Sequence, residues 1–444
     1  MNKAAWLKAS KDAGFSEFEI YEQRNTSTSI DIYDQKVDSF SISDCDGICL
    51  RGVYEGKMAN FFLEEISDEM MDDVLNQMKQ NASVITSDDE VMILGPDNKG
   101  RLSISVNENN LIETPNELKI EKLKALEKTL SEMDPRISQV MVTSYGEASG
   151  TRSIVNTKGI DLEDSDRNAI VCVEVLAKDG DDAKSAFDWL YLNTLEDLDV
   201  EKFARNLCDK VTSKLHADTI TSGKYPVIIE KGAMTSLFAS LSGLFNGENA
   251  YKGISLLKGK LNTPIFDEKI TIIDDPLLKG GINSCAFDDE GSTCMTKTVV
   301  DKGVLKTYLH NSKSANLMKC ETTANGFKSG YAGPVGILPT NFYIENGDTS
   351  YEDMIKSMKK GIIVTNVNGL HAGLNPISTE FSLQSEGFYV EDGKIVKPIN
   401  LFTIAANFMQ LMNNIEMVGN DLKMGMNGIG TPSILFKEIA VSGN

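Results

Sequence analysis

Residues 199–229, DVEKFARNLCDKVTSKLHADTITSGKYPVII, contain the change of pattern that decides the fold. Apolar residues recur every three or four positions from Val200 to Leu215, which is the spacing of a helix with one apolar face. Thr221-Ser222-Gly223 breaks this pattern, and the apolar run at 225–229 predicts the start of a strand. We therefore predict a domain boundary here, with an N-terminal domain over 1–220 and a C-terminal domain over 221–444.

Strand meanders flanked by helices are predicted before this boundary. Helical spacing of apolar residues predicts helices over 2–14, 67–81 and 117–133, and Asp134-Pro135 ends the last one. Alternation of apolar and polar residues predicts strands between the helices. The order of helix, meander and helix occurs twice, which suggests a loose duplication. The strands are predicted near 18–20, 30–32, 140–143, 153–156 and 169–176.

Short strands dominate the sequence after the boundary. A helix is predicted over 233–246, and two more are predicted near 350–360 and 401–416. Runs of strands that are separate from helices favour an α+β fold over a doubly wound parallel sheet. We therefore predict an α+β protein whose C-terminal domain is β-rich with a few helices. Its strands are predicted near 269–273, 298–300, 304–309, 341–344 and 388–390.

Charge and composition exclude several classes of function. The chain has 444 residues, 44 Lys and Arg and 65 Asp and Glu, for a net charge of −21. This charge opposes direct binding to nucleic acid or to an anionic membrane. The N-terminus lacks the apolar segment of a signal peptide, and no apolar run is long enough to span a membrane. Seven cysteines without a Cys-x-x-Cys pair fit free thiols in a reducing compartment. We therefore expect a cytoplasmic protein.

Common catalytic and nucleotide-binding motifs are missing from the sequence. It contains no Gly-x-Ser-x-Gly elbow, no P-loop and no His-Glu-x-x-His. The histidines at 216, 310 and 371 are too far apart in sequence to form a local metal motif. The glycines at 425, 428 and 430 lack the spacing of a dinucleotide site and predict a turn.

Acidic clusters occur at Asp88-Asp89-Glu90, Asp274-Asp275 and Asp288-Asp289-Glu290. Paired carboxylates can bind Mg²⁺ or Ca²⁺ or carry out acid–base chemistry. Such clusters more often end strands in solvated turns, and we expect this for each of the three. The cluster at 288–290 is followed by Gly291 and is the strongest candidate of the three for a site.

Four motifs in the second half resemble those of one family. In chain order they are FDDEG at 287–291, VDKGVLKTYL at 300–309, EGFYVEDGK at 386–394 and MVGNDL at 417–422. Together they resemble the TldD/PmbA family, whose members were once called modulators of DNA gyrase and are now grouped with metallopeptidases. The resemblance is strong over about 225–440 and weaker over the N-terminal half.

This resemblance implies a zinc site in one branch of the family. TldD-type chains bind zinc through His-Glu-x-x-x-His and a Cys near the C-terminus, with the Glu as general base. PmbA chains, also called TldE, lack these groups and pair with a TldD chain. The corresponding positions in this sequence are Phe238, Ala239, Gly243 and Pro432, none of which can bind zinc or act as a base. Phe238 also lies on an apolar stripe, which favours a core position. The sequence thus resembles the PmbA/TldE branch.

The leading hypothesis is therefore a non-catalytic, PmbA/TldE-like subunit of a zinc metallopeptidase that acts on unfolded peptides. The chain itself would hold no cofactor, and a TldD-like partner would supply zinc in a heterodimer or larger complex. A homodimer would reuse the same interface. The resemblance also implies that Gly419-Asn420-Asp421 forms an architectural turn that lines the shared cavity. Two alternatives are a non-enzymatic regulatory protein of the gyrase-modulator type, and a hydrolase that uses Asp288, Asp289 and Glu290.

Overall fold

A computed structural model describes residues 1–86, 92–97, 99–100 and 110–443. The predicted acidic cluster Asp88-Asp89-Glu90 lies outside the described residues. Within the described part, no helix is both long enough and apolar enough to cross a membrane.

The N-terminal half is built on one antiparallel sheet with helices packed against it. The strands are β1 (Glu17–Tyr33), β2 (Lys36–Tyr54), β3 (Lys57–Leu63), β4 (Ile137–Asn156), β5 (Asp161–Asp179) and β6 (Asp182–Tyr191), and their order is β3-β2-β1-β4-β5-β6. The helices are α1 (Lys3–Asp12), α2 (Met71–Ser83), α3 (Asn116–Met133) and α4 (Val200–Thr212).

A helix, three strands and a second helix occur twice in this half, as the predicted duplication requires. The two copies meet where β1 pairs with β4 at the centre of the sheet. In the first copy α1 and α2 cover a core around Trp6, Phe18 and Met78. In the second copy α3 and α4 cover a core around Leu126 and Leu207. Each pair of helices therefore buries its apolar faces against the sheet, and the core under α3 and α4 also takes in Ile30 and Ile32 of β1.

Two of the strands predicted in this half form one continuous strand. Residues 140–143 and 153–156 belong to the single strand β4, which pairs with β1 and β5 on either side. A Cβ atom at Gly150 would lie 2.6 Å from side-chain oxygens of Asn25 and Asp166 on the neighbouring strands. Glycine at this position relieves crowding between strands and does not end the strand.

Two larger sheets and a short ribbon form the C-terminal half. One sheet has the order β10-β9-β8-β13-β19-β18 and the other β16-β15-β14-β7-β20-β17, while β11 and β12 form the ribbon. Strand β16 also pairs with β20, so the second sheet closes on itself. The strands are β7 (Gly223–Ile229), β8 (Ile272–Asp274), β9 (Lys297–Asp301), β10 (Val304–Leu305), β11 (Gly326–Lys328), β12 (Val335–Ile337), β13 (Phe342–Ile344), β14 (Lys360–Asn368), β15 (Glu380–Glu391), β16 (Lys394–Asn407), β17 (Ile415–Val418), β18 (Lys423–Met424), β19 (Ile429–Thr431) and β20 (Ile434–Ser442).

The helices of this half are short. The first of them, α5, contributes to a core cluster that also contains residues of both larger sheets. The predicted α+β class with a strand-rich C-terminal half is confirmed. The helices are α5 (Lys231–Ser240), α6 (Gly247–Lys252), α7 (Ser312–Met318), α8 (Tyr351–Ser357), α9 (Leu370–Gly373) and α10 (Phe408–Leu411).

Two helix predictions in this half need correction. The helix predicted over 233–246 ends at Ser240 and is followed by a 3-10 turn, Ser242–Phe245. The helix predicted near 401–416 is wrong, because residues 401–407 continue strand β16. Phe402 and Ile404 are fully buried, whereas Leu401, which directly precedes them in the strand, is 62% exposed. This alternation has the period of a strand, and only Phe408–Leu411 is helical.

Candidate functional site

Helix α5 carries the first of the positions that the sequence matched to a zinc site. The ring of Phe238 is fully buried. It stacks on Phe342 of β13, with centroids 5.2 Å apart and planes at 12°, and meets Phe245 edge to face at 6.3 Å. Aromatic pairs in these geometries add stability beyond the apolar area that they bury. Phe238 is thus a central core residue, as its apolar stripe predicted.

The other three matched positions lie at different depths. Ala239 is half-buried, Gly243 is exposed, and Pro432 is buried between β19 and β20. Helix α5 and the segment around Pro432 adjoin, because the hydroxyl oxygens of Thr235 and Thr431 are 3.1 Å apart. The four side chains offer no nitrogen, oxygen or sulfur donor, so the residues at these positions do not fit a zinc ion.

The turn Gly419-Asn420-Asp421 fastens the start of α5 to the segment that follows Pro432. The Asp421 carboxylate accepts hydrogen bonds from the Ser433 backbone N–H at 2.8 Å and its hydroxyl at 2.9 Å. Lys231 Nζ donates to the same carboxylate at 3.3 Å. A Cβ atom at Gly419 would stand 2.6 Å from Asp421 Oδ1, so glycine permits this close approach.

The cluster Asp288-Asp289-Glu290 is buried, so the expectation of a solvated turn is wrong here. Asp288 is fully buried and accepts backbone N–H bonds from Ser292 and Gly326, each at 2.9 Å. Burial and the neighbouring Glu290 raise the pKa of Asp288 well above its usual value. Such a group is a structural acceptor that ties the 288–292 loop to β11.

The other two carboxylates of this cluster bind protein groups as well. Asp289 pairs with Arg152 of β4 at 2.8 Å and accepts the Lys328 backbone N–H at 2.7 Å. Glu290 accepts the Ser312 backbone N–H at 2.7 Å and its hydroxyl at 2.5 Å. These contacts use the carboxylates to hold the chain in place, and they do not favour a metal-binding or acid–base role.

Asp274 of the second acidic cluster is also buried, contrary to the same expectation. Its carboxylate pairs with Lys297 Nζ at 2.7 Å and accepts the Thr340 backbone N–H at 2.7 Å. Asp275 accepts the Thr296 hydroxyl at 2.5 Å. Across the described residues, no group of three or more His, Cys, Asp and Glu side chains has an arrangement that could hold a metal ion.

Sequence reasoning missed the residues that join the two halves around this loop. Arg152 binds Asp289 and donates to the Phe287 carbonyl at 2.5 Å, and its guanidinium lies 4.7 Å from the centroid of the Phe287 ring. Cavities of about 460 and 430 Å³ are lined by residues of both halves, and Lys328 lines both cavities. Asp289 lines the larger cavity and Glu290 the smaller one. No local motif marks Arg152, because 137 residues separate it from Asp289.

His310 is buried in the C-terminal half and should make stability depend on pH. Burial lowers its pKa from 6.5 to about 4. Between these values the unfolded chain takes up a proton that the folded chain refuses, so stability should fall as the pH falls through this window. We expect a loss of about 2 kcal/mol between pH 7 and pH 5 from this residue.

Urea unfolding at pH 7 and pH 5 measures this loss. His310→Gln retains a polar group for the contact between His310 Nδ1 and the Ser314 hydroxyl, which are 3.0 Å apart, but it does not titrate. The variant should therefore lose about 2 kcal/mol less than the unmodified chain over the same pH interval. An identical pH dependence in the two proteins would contradict the assignment.

Comparison with models of known protein families identifies the class to which the fold belongs. Three family models match successive parts of the chain. They are described as PmbA/TldA metallopeptidase domain 1 over 18–82, central domain over 109–215 and C-terminal domain over 222–443. The fold is therefore that of a metallopeptidase class composed of these three domains.

Individual relatives support the same result. A metalloprotease PmbA homologue from Buchnera aphidicola is 30% identical, over 72% of this chain and 69% of its own length. A crystal structure from Thermotoga maritima, described as a modulator of a DNA gyrase, is 28% identical with a TM-score of 0.91 and covers 99% of both chains. TldE from Thermococcus kodakarensis shares the fold at 24% identity, with a TM-score of 0.91 over 99% of this chain and 100% of that one. The chain belongs to the TldD/PmbA family.

Proposed function

We propose that this chain is a PmbA/TldE-like, non-catalytic subunit of a cytoplasmic zinc metallopeptidase that acts on unfolded peptides. A TldD-like partner supplies the zinc and the general base. The observation that carries the proposal is the full burial of Phe238 between aromatic rings, at the position that the sequence resemblance matches to the first zinc-binding histidine. A catalytic zinc site needs about three protein ligands and an open position, and the matched positions provide none of these ligands.

An exposed sheet edge supports the proposed pairing with another chain. Strand β3 pairs with β2 only over 48–54, so residues 36–46 of β2 have no partner on their outer side among the described residues. Val37, Phe40 and Ile42 on this segment are 41%, 44% and 59% exposed. An edge with exposed apolar residues is suited to bind another chain through backbone hydrogen bonds. We assign this edge to the TldD-like partner, and a homodimer would use the same edge.

Activity of the reconstituted complex tests the proposal. The purified chain alone should not cleave an unstructured fluorogenic peptide. The mixture with a TldD-type protein should cleave it, and a chelator should abolish that cleavage. Cleavage by this chain alone that is sensitive to a chelator would overturn the proposal. Cleavage by this chain alone that is insensitive to a chelator would instead favour a hydrolase that uses Asp288, Asp289 and Glu290.

A pair of surface variants tests the partner edge separately. Phe40→Asp places a charge on the edge and should weaken association with the TldD-type protein at least about tenfold. Phe187→Asp is the matched control, because Phe187 on β6 is exposed to a similar extent, 41% against 44%. If the two variants bound the TldD-type protein equally well, the assignment of the edge would be contradicted. The proposal that this chain lacks its own zinc ligands would not be affected.

A further inference from the structure

Lys328, the last residue of β11, carries a buried ammonium group without a hydrogen-bond acceptor. In the described part of the chain its Nζ is shielded from solvent and has no such partner. The Tyr21 ring lies 4.3 Å from Nζ and offsets part of the cost of burial through a cation–π contact. The contact leaves the three N–H donors of the ammonium unsatisfied. A buried polar group in this state calls for a partner that the described part of the chain does not supply.

The smaller cavity beside Lys328 is lined by more basic than acidic side chains. It measures about 430 Å³ and lies between strands β2 and β3 of the N-terminal half and residues 311–335 of the C-terminal half. Arg51, Lys313 and Lys328 line it, and Glu290 is the one carboxylate among its described lining residues. This excess is notable in a chain whose net charge is −21. The cavity therefore favours an anion.

Existing contacts of the lining charges single out Lys328 as the group that remains to be paired. Arg51 forms an ion pair with Glu19 at 2.7 Å, and Lys313 forms one with Glu248 at 3.6 Å. Glu290 accepts one hydrogen bond from Ser312 on each carboxylate oxygen, and it does not bond to Lys328 Nζ. An incoming anion would meet the ammonium of Lys328 without having to break an ion pair.

The remaining walls indicate what kind of anion fits. Asn60 and Asn311 provide amide groups, whereas Met58, Phe62 and Val335 provide apolar surface. Amides can bind a planar carboxylate, and the apolar wall can bury a hydrocarbon group attached to it. Inorganic phosphate would use the positive charge but would leave the apolar wall uncovered.

We propose that this cavity binds an organic carboxylate, with the Lys328 ammonium as its counter-charge. The carboxylate belongs either to a free small acid or to the C-terminus of a peptide, since both present the same chemistry. This site is separate from the positions matched to zinc and does not depend on the proposed partner subunit.

Calorimetric titration of the full chain with matched probes tests the proposal. N-acetyl-leucine represents the free acid, and N-acetyl-leucinamide is its neutral counterpart. The peptide acetyl-Ala-Ala-Ala-Leu and its C-terminal amide form the second pair, and inorganic phosphate is the third probe. At least one carboxylate should bind about tenfold or more tightly than its amide, because a hydrogen bond to a charged group is lost in the amide. The pair that shows this difference identifies the source of the carboxylate.

Two lysine variants then assign the binding to the cavity. Lys328→Met should weaken the carboxylate at least about tenfold, while Lys356→Met, at a lysine whose side chain is 70% exposed, should leave it unchanged. Equal binding of acid and amide, tighter binding of phosphate, absence of binding by either carboxylate, or an unaltered affinity in Lys328→Met would each overturn the proposal. The comparison of acid with amide uses the unmodified chain and holds even if Lys328→Met folds poorly.

Discussion

Replacing Phe238 with alanine should lower the free energy of unfolding by about 3 to 5 kcal/mol. The phenyl ring is fully buried and packs against Phe342 and Phe245, so its removal leaves a cavity in the largest core of the C-terminal half. Both the lost transfer of apolar surface and the lost packing contribute to this cost.

Urea unfolding followed by far-ultraviolet circular dichroism measures the effect. Phe187→Ala is the control, because that ring is 41% exposed and its removal should cost less than about 1 kcal/mol. If Phe238→Ala cost no more than this control, Phe238 would not be the core residue that the structure places there. Burial of position 238 would then no longer oppose a ligand role there.

Placing a histidine at position 238 tests whether this position can contribute to binding a metal ion. Phe238→His places polar ring nitrogens against the phenyl rings of Phe342 and Phe245, which carry no nitrogen or oxygen to replace water. We therefore expect this variant to be destabilised and zinc to give it no added stability. A rise in its melting temperature with zinc would show that position 238 can face a metal, since a ligand stabilises the state that binds it.

The spacing of apolar residues predicted much of this fold, because the apolar faces of helices and strands are formed by residues close together in sequence. The stripe from Val200 to Leu215 predicted α4, and the stripe that contains Phe238 predicted the burial of its ring. The wrong helix near 401–416 shows the limit of the same reasoning. Leu401, Ile404 and Phe408 have the spacing of a helix stripe, whereas Phe402 and Ile404 have the spacing of a strand, and so short a run does not decide between the two. Pairing with β15 and β20 makes this segment a strand.

The acidic cluster at 288–290 shows a second limit, which concerns long-range partners. Three successive carboxylates are typical of exposed turns, yet here each one accepts hydrogen bonds from other segments of the chain. The partners Arg152, Gly326 and Ser312 lie between 22 and 137 residues away in sequence. Burial of such charges becomes favourable only when the fold brings these partners together. The division of the chain near residue 220 stays a prediction, and contacts such as these cross it.

Replacing Arg152 with methionine should destabilise the protein by about 3 to 5 kcal/mol. Methionine fills a similar volume but removes the guanidinium that pairs with Asp289 at 2.8 Å. Asp289 is only 4% exposed, so its carboxylate would stay buried without its counter-charge. The substitution also removes the hydrogen bond to the Phe287 carbonyl and the contact with the Phe287 ring.

A surface pair of the same chemistry provides the control. Arg136 pairs with Asp134 at 2.7 Å, but its side chain is 42% exposed, so Arg136→Met should cost between about 0 and 1 kcal/mol. Both tryptophans, Trp6 and Trp189, lie in the N-terminal half, and their fluorescence reports the unfolding of that half. Circular dichroism reports the whole chain in the same urea titration.

A double variant separates the buried charge from the lost packing. Asp289→Asn in the Arg152→Met background removes the unpaired charge and keeps an oxygen that can accept the Lys328 backbone N–H. If the cost of Arg152→Met comes mainly from the stranded carboxylate, the double variant should be more stable than the single one. If the double variant is no more stable than the single one, the lost contacts between Arg152 and Phe287 account for the destabilisation. A cost for Arg152→Met as small as that of Arg136→Met would show that this ion pair does not hold the two halves together.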